Sequence, residues 1–162
     1  MTERIDILPM KPAHLKQVLV IEQACYTLPW SVNIFYQELV GNPNALYYTA
    51  MAGEQVVGYA GIWLILDEAH VTNIAVAPEW RRRGVAKRLM EHLLQNSLNQ
   101  GVNRITLEVR RTNLAAQKLY ESFGFVAAGV RKGYYSDNNE DGLIMWLYDI
   151  GAYFDRKEQA NG

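Results

Sequence analysis

The run His70-Val71-Thr72-Asn73-Ile74-Ala75-Val76-Ala77 is β-branched and apolar, and it stops at Pro78. Past the loop Glu79-Trp80-Arg81-Arg82-Arg83-Gly84, Val85, Leu89 and Leu93 recur at four-residue steps. A second stripe of Ala86, Met90, Leu94 and Leu98 runs beside them and closes near Gly101. Next, Ile105, Leu107 and Val109 alternate with Thr106, Glu108 and Arg110. A strand that feeds a helix and then another strand predicts a crossover connection, which ties this half of the chain to a sheet with helices packed on it. Asn113 opens a further helix ending at Phe123-Gly124, and Phe125–Val130 and Leu143–Tyr148 supply closing strands.

The first half reads as a strand over Ile5–Leu8, a helix over Ala13–Cys25 after the Lys11-Pro12 break, and a second helix capped by Ser31 and running to Val40. Gly41-Asn42-Pro43 ends it, and strands follow over Ala45–Ala52 and Gln55–Leu66, joined by a turn at Gly53-Glu54. The predicted order is strand, two helices, three strands, helix, strand, helix, two strands: a mixed α/β protein. Residues 1–150 are expected to form one domain, and 151–162 a polar, partly disordered tail.

Lys and Arg number 16 against 17 Asp and Glu, so the chain as a whole has no electrostatic pull toward polyanions, and any anion site must be local. Cys25 is the lone cysteine and reads as a buried structural residue; no disulfide framework can be built from it. His14, His70 and His92 lack metal-ligand spacing, so no metal is expected and all three read as structural or surface residues. The start has no secretory apolar core and no stretch reaches the length of a membrane span, which predicts a cytoplasmic protein without a membrane partner.

The loop from Arg81 into the helix is an anion cradle in prospect. A helix N-terminus presents unpaired N–H groups and the positive end of a dipole, and Gly84 and Ala86 are small enough for a diphosphate to approach the backbone. Neither a P-loop nor a dinucleotide fingerprint fits the spacing. Taken alone, three arginines before a helix read equally as a solvated turn. A nucleic-acid binder would turn Arg81, Arg82, Arg83, Lys87 and Arg88 on phosphates, but that cluster is short and the net charge is not basic, so no direct nucleic-acid contact is expected.

Ile74-Ala75-Val76 followed by Arg81-x-x-Gly84-x-Ala86 resembles the acetyl-CoA motif of the GNAT superfamily, Q/R-x-x-G-x-G/A. Further matches are Leu107-Glu108-Val109-Arg110 through Asn113-Leu114-Ala115-Ala116 to Leu119–Phe125, Glu22 through Pro29-Trp30, and Gly133-Tyr134-Tyr135. With these the chain resembles the ribosomal-protein alanine N-acetyltransferase (RimI) family over nearly its whole length, to about Leu147. Arg81 stands where glutamine is frequent, and Ala86, with one extra methyl, where glycine is frequent.

That resemblance implies the GNAT fold, a mixed central sheet flanked by helices, and acetyl-CoA as cosubstrate. It implies that the backbone of Arg82, Arg83, Gly84, Val85, Ala86 and Lys87 holds the pyrophosphate. Ile74, Ala75 and Val76 would line the pantetheine arm, with Val76 N–H polarising the thioester carbonyl, and Asn113 would be a further cofactor contact. Alternation puts Glu108 on the polar face of its strand, and the resemblance makes it the general base; by itself it reads better as a surface carboxylate paired with Arg110 or Arg111. Tyr120, two helical turns after Asn113, becomes the general acid for the leaving thiolate, although its spacing with Ala116 and Phe123 equally suits a core tyrosine.

Trp30, Tyr134 and Tyr135, with Tyr26 and Pro29, could wall a groove for a peptide end or simply pack under loops. An N-terminal amine has a reference pKa of about 7.7 to 8.0 and needs only a modest base. The expected reaction is therefore acetyl transfer to a protein N-terminal amine, with a small-subunit ribosomal protein beginning in alanine as the partner the resemblance implies. Lysine side chains or a small-molecule amine are the alternative acceptors. A monomer or weak dimer is expected.

Overall fold

The computed structural model describes residues 4–161. In chain order the elements are β1 (Asp6–Pro9), a short 3-10 turn (Pro12–His14), α1 (Leu15–Cys25), α2 (Val32–Gly41), β2 (Ala45–Ala52), β3 (Gln55–Ile65) and β4 (Glu68–Val76). A second 3-10 turn (Pro78–Trp80) follows, then α3 (Val85–Asn99), β5 (Ile105–Arg110), α4 (Leu114–Phe123), β6 (Val126–Tyr135), β7 (Glu140–Leu147) and α5 (Ile150–Asn161). The strands lie in the order β1-β2-β3-β4-β5-β7-β6. β4 and β5 pair in parallel through Ala69↔Ile105 and His70↔Thr106, whereas β1/β2, β2/β3, β5/β7 and β6/β7 are antiparallel. The mixed α/β class expected from the sequence is therefore the one observed.

The chain gathers into two compact units. The first runs to Leu64 and resumes over Thr72–Leu93; the second takes Ile65–Val71 and the chain from Leu94 onward. In the first unit Val18, Ile21, Phe35, Tyr59, Ile62 and Leu89 are buried; in the second, Ile105, Leu107, Phe123, Phe125, Met145 and Ile150.

Local chemistry sets the element ends where the sequence placed them. Ser31 Oγ accepts from Ile34 N–H at 3.3 Å and caps α2, and Asn113 Oδ1 accepts from Ala116 N–H at 3.1 Å and caps α4. Gly124 ends α4 at φ +105, a left-handed conformation that favours glycine.

Two expectations need correction. The sheet's last hairpin is longer than the predicted Phe125–Val130 and Leu143–Tyr148, because β6 continues to Tyr135 and β7 begins at Glu140. Register shifts between Ala127 and Gly129 and between Arg131 and Tyr135 break the period-two pattern by which a strand is read. Residues 151–161 are helical, not a disordered tail. Asp149 Oδ1 accepts from Ala152 N–H at 3.0 Å as a cap, and Ile150 and Tyr153, three apart on one face, are buried. Gly162 of the expected tail and residues 1–3 of the expected domain lie outside the described residues.

Candidate active site

The loop before α3 is shaped by backbone conformation. Arg82 sits at φ +62 and Gly84 at φ +78. The left-handed region costs a side-chain-bearing residue energy and glycine very little, and left-handed residues in a turn bring successive N–H groups into one concavity suited to an anion. The bond Arg88 N–H to Gly84 O, 3.1 Å, begins the helical ladder, so Val85, Ala86 and Lys87 have no intrahelical acceptor for their N–H groups. A Cβ built on Gly84 would meet no atom within 4 Å, so the backbone is open to a diphosphate there.

Several of the basic side chains are occupied. The Arg83 guanidinium lies 4.6 Å above the Trp80 ring, Arg81 Nη2 donates to Cys25 Sγ at 3.4 Å, and Arg88 donates to the Ile5 carbonyl. The cradle is a backbone device, which fits a diphosphate better than a polyanion held by free cations. Cys25 is half-buried rather than fully buried.

In β4, the carbonyl of Ala75 lies 3.0 Å from where a Cβ on Gly58 of β3 would stand. Alternation turns the N–H and C=O of Ile74 and Val76 to the opposite edge. On that edge the Tyr26 hydroxyl donates to Ile74 O at 3.0 Å, and the Cys25 thiol reaches Val76 O at 3.5 Å. The end of α1 thus touches the strand segment expected to hold the pantetheine arm.

The turn between α1 and α2 is anchored from beneath. Glu22 is 2% exposed; one carboxylate oxygen accepts from the Tyr59 hydroxyl and the other from Trp30 N–H at 2.9 Å. Trp30 packs against Phe35 and Tyr47, with ring centroids 5.2 and 6.5 Å away. Trp30 therefore packs beneath the turn, which is one of its two readings, and is held at a fixed place beside Pro29.

In the second unit, Glu108 stands on the half-exposed face of β5, with Leu107 and Val109 turned inward as alternation predicted. Its partners are not Arg110 or Arg111. Oε2 lies 2.7 Å from His70 Nε2 and Oε1 3.3 Å from Arg131 Nε. Burial works to raise its pKa, but the hydrogen bond and charge of His70, with the charge of Arg131, hold it below the usual carboxylate range. Arg110 instead joins Asp137 at 2.8 Å and Glu140 at 3.2 Å and lies 4.1 Å over the Tyr135 ring, while Arg111 meets Asp141 at 3.5 Å.

Tyr134 and Tyr135 do come to this cluster. Their rings meet edge to face at 5.1 Å, and the Arg131 guanidinium lies 5.6 Å from the Tyr134 ring. Burial, then the neighbouring Tyr134, pushes the Tyr135 hydroxyl up to about 12.

The α4 residues divide. Asn113 spends its oxygen on the helix cap. Tyr120 is buried beside Phe125, its phenol pushed up by burial and then by Tyr135, so it stays protonated through the neutral range. The hydroxyl therefore has a proton to give at neutral pH, although the same burial makes that proton harder to release.

Two residues that sequence reasoning missed are His70, read as structural or surface, and Arg131. Only the pairing of β4 with β5 puts His70 opposite Thr106, two residues from Glu108, and only the bulged β6 brings Arg131 to the same carboxylate.

Residues 15–125 match the Acetyltransferase (GNAT) family. A putative ribosomal protein bS18-alanine N-acetyltransferase of Bacillus subtilis is 40% identical over 138 residues, covering 85% of this chain and 91% of that one. The crystal structure of the ribosomal-protein-S18-alanine N-acetyltransferase from Escherichia coli superposes with a TM-score of 0.81 at 35% identity, over 89% of this chain and 93% of that one. Arabidopsis thaliana NAA60 in complex with acetyl-CoA shares the fold, at a TM-score of 0.81 and 17% identity over 90% of this chain and 99% of that one. The chain belongs to the GNAT acetyltransferase family, in its ribosomal-protein alanine N-acetyltransferase branch.

Proposed function

We propose that this chain is an acetyl-CoA-dependent N-acetyltransferase that acts on the N-terminal alanine of a small-subunit ribosomal protein, as relatives named for bS18 do. The observation that carries this reading is the combination of a backbone anion cradle with a buried carboxylate held ionised, in a chain whose relatives are named for alanine N-acetylation.

The N–H groups of Arg82 to Lys87 would hold the diphosphate of acetyl-CoA, and the β4 backbone at Ile74, Ala75 and Val76 its pantetheine arm. Asn113 would add a contact through its amide nitrogen. Val76 N–H would polarise the thioester carbonyl, which acetyl-CoA supplies as an electrophile. Glu108 accepts the proton of the attacking amine, directly or through a water, and Tyr120 protonates the departing thiolate. Trp30, Tyr134 and Tyr135 would wall the path of the peptide end. The whole of 1–150 acts as one catalytic domain, working as a monomer or weak dimer in the cytoplasm, with no metal and no membrane or nucleic-acid partner in the reaction. Among the described residues no helix is long and apolar enough to cross a membrane.

Mass spectrometry tests the reading. Acetyl-CoA is incubated with a lysine-free peptide bearing a free N-terminal alanine, and separately with an N-blocked peptide bearing an internal lysine. Acetylation of the first alone is expected; acetylation of the second alone overturns the acceptor assignment.

A further inference from the structure

We propose that Asn73 is a side-chain contact for the cofactor: its Oδ1 accepts a hydrogen bond from an amide N–H of the pantetheine arm of acetyl-CoA. The proposal rests on the cofactor reading made above.

Asn73 is 7% exposed, and its Oδ1 is a buried side-chain polar atom without a hydrogen-bond partner among the described residues. An acceptor taken out of water and left unpaired destabilises a chain, and such atoms are scarce in folded proteins. An asparagine at this place is completed by something other than the chain itself.

Its position in the fold says what. Asn73 immediately precedes Ile74, Ala75 and Val76, in the stretch of β4 beyond the Ala69↔Ile105 and His70↔Thr106 pairs. Thr72 faces the side of the sheet that α2 covers, where its hydroxyl donates to Tyr47 and Tyr47 donates to Glu38. Alternation turns Asn73 to the other side. That is the side of α3: the Tyr48 ring meets His92 there at 4.5 Å, and a Cβ on Gly58 would stand 3.1 Å from Val85 and 3.2 Å from Leu89. The first turn of α3 forms the anion cradle, so an arm leaving a diphosphate held there sets out on the face that Asn73 lines.

The count of donors and acceptors points the same way. Each amide of the arm brings an N–H that needs an acceptor once it leaves water. On the β4 edge the carbonyls of Ile74 and Val76 already accept from the Tyr26 hydroxyl and the Cys25 thiol. Asn73 Oδ1 accepts from no group of the described chain, which leaves it free for the arm. A trapped water is the competing partner, and the two differ in what replacing Asn73 does to binding.

The test compares wild type, Asn73→Leu and Asn73→Ala in the full chain with two ligands: CoA, and 3′-phospho-ADP, which keeps the nucleotide and diphosphate but lacks the arm. Leucine keeps the fork at Cγ and removes both polar atoms; alanine covers the case in which leucine overpacks. Calorimetry is expected to show CoA weakened about tenfold by either substitution and 3′-phospho-ADP held within about twofold. In thermal melts without ligand Asn73→Leu is expected to melt at or above the wild type, because it removes an unpaired acceptor, and to gain less than the wild type when CoA is added. CoA affinity that is undiminished in both variants, as a water partner predicts, overturns the proposal while leaving the cofactor reading intact. An equal loss for both ligands also overturns it, since the cradle is then what the substitutions disturb. A wild type that binds neither ligand takes this proposal down with the cofactor reading.

Discussion

The ring of Tyr47 occupies the space in which a side chain at Gly61 would begin: a Cβ there would stand 2.1 Å from Cε1 and 2.4 Å from Cδ1. The same ring carries the hydroxyl that donates to Glu38 at 2.7 Å and accepts from Thr72 at 3.1 Å, so β3 gives up a side chain to let β2 tie α2 to β4.

Gly61→Ala is therefore expected to push the ring aside and to destabilise the protein by about 1–3 kcal/mol, the usual scale of overpacking. Urea unfolding measures it. In a Tyr47→Ala background the same change should be nearly neutral, and equal losses in both backgrounds would show that the ring is not the cause.

Glu22→Ala leaves the Tyr59 hydroxyl and Trp30 N–H without their acceptor. The expected cost is about 1–3 kcal/mol for each donor left buried and unpaired. Because Trp30 loses its anchor, the peptide KM should rise more than the acetyl-CoA KM; steady-state kinetics with each substrate varied in turn reads the difference.

Glu108→Gln should lower kcat by about a hundredfold or more, with the variant still folded and still binding CoA. The linkage runs in the ordinary carboxylate direction. A pKa held below its unfolded value contributes stability that is present above the usual carboxylate range and is lost as pH falls through the lowered value. Glu108→Gln should thus narrow the gap between stability at neutral and at acid pH, as read by thermal melts across that range.

Gly84→Val forces a β-branched side chain into φ +78, at a backbone cost of about 1–2 kcal/mol. The loop should relax and disperse its N–H groups, weakening CoA binding roughly tenfold in calorimetry while the peptide KM holds. Equal affinity for the variant would place the diphosphate elsewhere.

Glu140 offers a control on a carboxylate with no part in the proposed reaction. Its bonds from the Thr112 hydroxyl and N–H, 2.5 and 2.8 Å, with Asn138 and Arg110, bring its carboxyl from 4.5 down to about 2. The stability this contributes should be complete above the ordinary value and should disappear as pH falls toward about 2. Glu140→Gln should remove that part of the acid limb without changing kcat.

Much of the framework could be read in the residues. The Ser31 and Asn113 caps, the Gly124 stop and the period of α3 are local signals, and the structure honours each. The alternation of β5 put Glu108 on the half-exposed face before any fold was known. The failures are long-range or irregular. β6 hid behind its bulges, because a strand that changes face has no steady period. Which cations met Glu108 depended on strand neighbours, so the adjacent Arg110 and Arg111 looked like better partners than the distant His70 and Arg131. The final helix was missed because only Ile150 and Tyr153 mark its inner face in an otherwise polar stretch.

That helix bears on how the protein can be cut. Arg156 of α5 donates to the carbonyl of Phe123 at 3.4 Å, and its Nη2 would stand 2.9 Å from a Cβ on Gly124. It thereby closes the carbonyl end of α4, three residues from Tyr120. A chain shortened to Leu147 on the view that the remainder is dispensable would take Tyr153 from the Phe123 ring, 5.2 Å away, and strip the cation from the helix that carries the proposed acid.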